Sequence, residues 1–167
     1  MTTNIITKMN LEEVREFIAN SPKDTKVYIG CDSQRFKAKD KRWYADYAIV
    51  VVIHKAGRHG CKIFGQIERE MDFDQSKNRP RMRLMNEVYK AAEMFMRLGD
   101  VIEDSEVFVH LDLNTDEKHG SSCVINEAIG YIRGMCNVIP LVKPHSWAAT
   151  HASDHILRHR EVLTAAI

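Results

Sequence analysis

The feature that most constrains this chain is a change of period near residue 71. Before it stand three β-type runs with short connections: Lys26 to Cys31, Trp43 to His54, and Cys61 to Glu70. They are rich in Val, Ile and Tyr, and turn residues separate them, Pro22 and Asp24 ahead of the first and Gly57 to Gly60 ahead of the third. After it the spacing becomes helical. Apolar residues recur at Leu84, Val88, Ala91, Phe95 and Leu98 within Pro80 to Leu98, and Gly99 supplies a stop. Glu106 to Leu113 returns to strand character and Cys123 to Cys136 to helix. Val138 to Val142 reads as a short strand, and Ser146 to about Arg160 as a last helix capped by Ser146. A short helix, Leu11 to Ala19, leads the chain, with Asn10 placed to cap it. A three-stranded antiparallel meander followed by βα crossovers predicts an α/β fold with a mixed five-stranded sheet flanked by helices.

At 167 residues the chain matches one domain, taken here as residues 1–167. No apolar run approaches the roughly 18–20 residues of a membrane span, and no secretory signal is visible, so a cytoplasmic location without membrane association is expected. Lys plus Arg total 24 against 23 Asp plus Glu, a balance unlike that of a passive nucleic-acid coat. It is compatible with an enzyme on nucleic acid, whose acidic metal site offsets basic contacts. The cysteines, Cys31, Cys61, Cys123 and Cys136, form no C-x-x-C pair and read as reduced, buried thiols.

Four carboxylates stand out. Asp32 closes the run VYIGC. Asp112, in VFVHLDLN, shares a strand face with Phe108 and His110, opposite the apolar row Val107, Val109, Leu111 and Leu113. A carboxylate beneath a covering helix needs a partner or a metal. Glu87 falls about 60° from Leu84 and about 40° from Ala91, inside the apolar arc, whereas Glu93 lies on the opposite side. A pairing with Arg83, four residues earlier, is the simpler reading of Glu87. Asp154 shares a helix face with Trp147, Thr150 and His151. Two strands and two helices thus offer one acid each. Mg²⁺ and Mn²⁺ favour such oxygen ligands, and two ions about 4 Å apart can cleave a phosphodiester.

The order of elements, with these acids in it, resembles the ribonuclease H-like superfamily. The segments YIGCDSQ, RMRLMNE, VHLDLN and KPHSWAATHASD resemble, more narrowly, the YkuK-type family of small ribonuclease H-like proteins, over about Val27 to Asp154. His145 stands where relatives are expected to carry an acid. The resemblance implies that Asp32, Glu87, Asp112 and Asp154 are catalytic and metal-binding, with Mg²⁺ or Mn²⁺ in a two-metal site. It implies a nuclease acting on RNA-containing or single-stranded nucleic acid.

Other residues fit around that reading. Basic runs border the acids, with Arg35 and Lys37 after Asp32, and Lys77, Arg79 and Arg81 ahead of Glu87; together with Lys143 they are candidate phosphate contacts. His110, His119 and His151 are the candidates for proton transfer. The His151-Ala-Ser-Asp-His155 segment is a poor match to a zinc-protease motif, and no Walker loop is present. The competing class is a catalytically silent module on the same fold that binds nucleic acid or protein. A nuclease active only with a protein partner is the third.

Overall fold

The computed structural model describes residues 6–55, 60–74 and 80–160. The elements run β1 (Ile6–Lys8), α1 (Leu11–Ala19), β2 (Lys26–Lys37), β3 (Trp43–His54), β4 (Cys61–Met71), α2 (Arg81–Leu98), β5 (Glu106–Leu111), α3 (Ile125–Cys136) and α4 (Ser153–Arg158). Short 3₁₀ turns at Gly99–Ile102 and Gly120–Val124 follow α2 and precede α3, and a π turn over Ala148–Ala152 leads into α4. The sheet is mixed and five-stranded, in the order β1-β4-β3-β2-β5. The meander β2-β3-β4 is antiparallel; β1 and β5 join its two sides in parallel.

The apolar run in β3 has a simple cause. Ile49, Val51 and Ile53 face a core shared with α1, α2 and α3, while Ala48, Val50 and Val52 face a second core under Ala148, Ala152, Ile156 and Leu157. A strand covered on both faces has no solvated row, so alternation disappears. Among the described residues no helix is long and apolar enough to cross a membrane.

Several boundaries differ from the sequence expectation. β2 continues to Lys37, in register with Trp43 of β3, and the turn is confined to the residues between, where Lys41 has φ of 66°. Asp32 therefore lies inside a strand rather than at its end. The fifth strand is β1, not Val138 to Val142. That segment does run beside β5, with Leu141 N donating to Val109 O and Lys143 N to Leu113 O. It forms only a single bridge, His110 to Leu141. No side chain caps the last helix from Ser146; the Ser146 carbonyl accepts the Thr150 N–H instead.

Tight backbone contacts set how the last helix lies. A Cβ on Gly30 would stand 2.7 Å from the Ala149 nitrogen, so only glycine permits this approach. Ala148 and Ala149 are fully buried against it. The start of α2 is fastened from outside: the Asp74 carboxylate accepts the N–H groups of Met82 (3.0 Å) and Arg83 (2.7 Å), which Pro80 cannot cap.

Candidate functional site

The parallel ladder between β2 and β5 ends at Cys31 and Leu111. The next residue on each strand is an aspartate, and both side chains are on the face opposite Cys31 and Leu111. Asp32 and Asp112 therefore stand side by side where the strands part. Glu87 arrives from α2, on the other side of the sheet. These three acids line one pocket of about 550 Å³ together with Ser33, Arg83, Lys118 and Lys143.

Each acid is held differently. Asp32 accepts the Ser33 N–H, at 2.8 Å. Burial, then repulsion from Asp112, pushes its pKa up to about 7, against smaller opposing effects of the Ser33 N–H, Arg83 and Lys143. Glu87 is 2% exposed and accepts the Ser33 hydroxyl at 2.5 Å. That hydroxyl accepts in turn from Arg83 Nη1 at 2.6 Å, and Arg83 stands 3.7 Å from Glu87 Oε1. Burial first and Asp32 second hold the Glu87 carboxyl well above its usual range. Thus Glu87 is within the apolar face and also has its Arg83 partner. Asp112 Oδ1 accepts the Thr150 hydroxyl at 2.8 Å and lies 2.9 Å from Lys143 Nζ.

Asp154 is not among the residues of this pocket. It lies one turn past Thr150, roughly 6 Å along the axis, and pairs with Arg158 at 2.9 Å. From the last helix it is Thr150 that reaches Asp112.

The basic candidates divide. Lys143 is in the pocket. Arg35 pairs with Asp72 at 2.6 Å, donates to the Asp74 carbonyl and stacks on Trp43. It fastens the segment before α2. Lys37 sits at the far end of β2, over Trp43. Arg81 pairs with Glu127. Arg79 and Lys77 lie outside the described residues.

The histidines divide too. His110 is fully buried, and its Nδ1 accepts the Ala148 N–H at 3.0 Å, satisfying a free donor at the start of the last helix. Burial lowers its pKa to about 4, so it is neutral at physiological pH. It organises the helix rather than facing the acids. His119 is exposed beside the pocket, and His151 lines a neighbouring cavity. All four cysteines are free; Cys31 and Cys136 are buried, Cys123 is exposed.

Sequence reasoning missed Lys118 and the coupling of Ser33 to Glu87. Lys118 had no periodic signal, and its position follows from the loop after β5 folding back through the Asn114 N–H to Ser121 hydroxyl bond, 2.9 Å.

The family model described as ribonuclease H-like matches residues 9–158. The chain belongs to the ribonuclease H-like family. The segments on which the sequence resemblance rested all lie within the matched residues of this ribonuclease H-like protein. Neither the curated proteins nor the solved structures contain a match to it.

The donor chemistry suits a hard divalent cation. Asp32, Glu87 and Asp112 offer only oxygen, and a dication would offset the mutual repulsion that adds to burial in raising the first two pKa values. Among the described residues, however, no three His, Cys, Asp or Glu side chains form a ready-made cage. Lys143, Thr150, Ser33 and Arg83 hold the acids instead.

Proposed function

We propose that this ribonuclease H-like protein is a divalent-metal-dependent nuclease that hydrolyses phosphodiester bonds of RNA-containing or single-stranded nucleic acid. The observation that carries it is the convergence of Asp32, Glu87 and Asp112 in one pocket rimmed by Lys118, Lys143 and Arg83. Asp32 and Asp112, with Glu87 behind them, would hold Mg²⁺ or Mn²⁺. Such an ion activates water and offsets charge on the phosphate. Lys118 and Lys143 draw the phosphate into the pocket. Ser33 and Arg83 orient Glu87 through their shared hydrogen bonds. Thr150 fixes the rotamer of Asp112. A second ion would need a further carboxylate, and Asp154 would have to leave Arg158 to supply it.

A second reading has its own observation. Lys143 already neutralises Asp112, and Arg83 stands by Glu87, which suits a silent binding module whose acids are compensated internally. The experiment that separates the two is cleavage of single-stranded RNA, single-stranded DNA, duplexes and RNA–DNA hybrid with Mg²⁺ and Mn²⁺ in turn. The nuclease reading expects cleavage by wild type and none by Asp32→Asn, a change that keeps volume and removes charge. Equal cutting by both removes Asp32 and its pocket as the source of cleavage, and none by wild type leaves the binding module.

A further inference from the structure

A second cavity, of about 420 Å³, adjoins the acid pocket and shares Lys143 with it. Asn114, Thr115, Pro144, Trp147 and His151 are among its walls. The two cavities meet at Asp112, because both of its side-chain partners, Lys143 and Thr150, also line the second one.

Trp147 is the prominent wall. It is 38% exposed, unusual for so large an apolar side chain. What is covered is braced by other rings. Tyr28 lies 4.6 Å away and His110 5.4 Å away, nearly perpendicular, and Tyr28 stacks on Phe108 at 5.1 Å. The indole is therefore held in place before any ligand arrives, which lowers the entropy cost of stacking against it. The polar walls suit a heterocycle edge. Asn114 uses its side-chain oxygen on the Asp116 N–H, leaving its NH₂ as a donor. Thr115 and His151 add hydroxyl and imidazole groups.

We propose that this cavity receives an unpaired nucleobase of a single-stranded nucleic acid, stacked on Trp147, while the adjoining phosphate lies by Lys143 over the acid pocket. The inference rests on the nuclease reading for the phosphate and goes beyond it by naming the base subsite that selects a single strand over a duplex. A base in a duplex is already stacked and paired and would have to be extruded to enter. A base in a single strand pays no such cost, and aromatic stacking tolerates any base.

The test is a fluorescence titration of the full chain carrying Trp43→Phe, which leaves Trp147 as the reporter, with Asp32→Asn added to prevent cleavage. The probes are octathymidylate, octauridylate, an abasic oligomer of equal length and a duplex. The expected result is quenching of Trp147 by the two base-bearing strands and not by the abasic one. Their affinity should exceed that of the abasic strand by at least about tenfold, within the range of one stacked base. Trp147→Ala, which removes the reporter and is read instead by the anisotropy of a fluorescently labelled strand, should erase that ratio and keep the abasic affinity, with a melting curve to confirm folding. Equal affinity for base-bearing and abasic strands, no quenching, or tighter binding of the duplex overturns the proposal while leaving the nuclease reading standing. Binding of none of the probes, with no cleavage by wild type, overturns both.

Discussion

Lys143 Nζ stands 2.9 Å from Asp112 Oδ1, the same oxygen that accepts the Thr150 hydroxyl. The ammonium thus occupies one side of an acid that a metal ion would also approach. Removing it should strengthen cation binding. Unit charges about 4 Å apart interact by roughly 1–4 kcal/mol between bulk water and a protein surface. Lys143→Met is expected to tighten Mn²⁺ binding by about three- to tenfold at pH 7.5, read by titration calorimetry, while weakening oligonucleotide binding. Weaker Mn²⁺ binding in this variant would mean that Lys143 does not compete for Asp112.

Asp32 makes stability depend on pH in a definite direction. Its carboxyl is usual near 3.8 when unfolded and is raised to about 7 in the fold. Between those values the native state holds a proton that the unfolded chain releases. The contribution is fully present below about pH 4 and is lost as pH rises through about 7. Glu87 acts in the same sense. Without metal the protein should lose on the order of 2–4 kcal/mol between pH 5 and pH 8 from this source. Urea denaturation should show the loss, Mn²⁺ should restore it at pH 8, and Asp32→Asn should flatten it. A pH profile unchanged by Asp32→Asn would refute the assignment.

Asp112 and Asp154 should respond differently. Asp112→Asn is expected to cost at least about tenfold in Mn²⁺ affinity, since even indirect partners of metal ligands cost that much. Asp154→Asn, which breaks a half-exposed pair with Arg158, should change it less than about twofold. Equal losses in calorimetry would put Asp154 back among the ligands.

Two glycines should give opposite signs. Gly30→Ala drives a methyl against the Ala149 backbone and should destabilise by about 1–3 kcal/mol, shifting the Trp147 emission as the helix moves. Gly134, inside α3, has nothing within 4 Å of its added Cβ. Gly134→Ala should stabilise by about 0.4–1 kcal/mol. Paired denaturation curves test both.

The parts of this fold legible in the sequence are those written in periods. The β3 run, the helical stripe of α2 and the misplaced polarity of Glu87 follow from spacing alone. So does the face shared by Phe108, His110 and Asp112, which the structure turns toward the last helix. What escaped was set by contact between distant segments. β1 has three residues, too few for a period, and exists because Ile6 to Lys8 pair with Ile63 to Gly65. The end of β2 was hidden because Arg35 to Lys37 look like a basic loop, yet Arg35 is drawn into the strand by Asp72 and Trp43. Asp154 and Thr150 share a helix face, so spacing could not choose between them. Gly30 against Ala149 decides where that helix begins on the sheet, and so which residue meets Asp112.

The fork after Cys31 and Leu111 gives the two aspartates unequal footing. Beyond it, β2 stays hydrogen-bonded to β3 as far as Lys37 and Trp43, whereas β5 gives way to an irregular loop through Asn114. Amide hydrogen exchange should therefore be slow around Asp32 and fast at Thr115 and Glu117, which are exposed beyond the Asn114 N–H bond to Ser121. Asp32 is anchored through the backbone of its strand, whereas Asp112 is anchored at its side chain by Thr150 and Lys143, so a ligand that draws those two partners away loosens the β5 side of the cleft first.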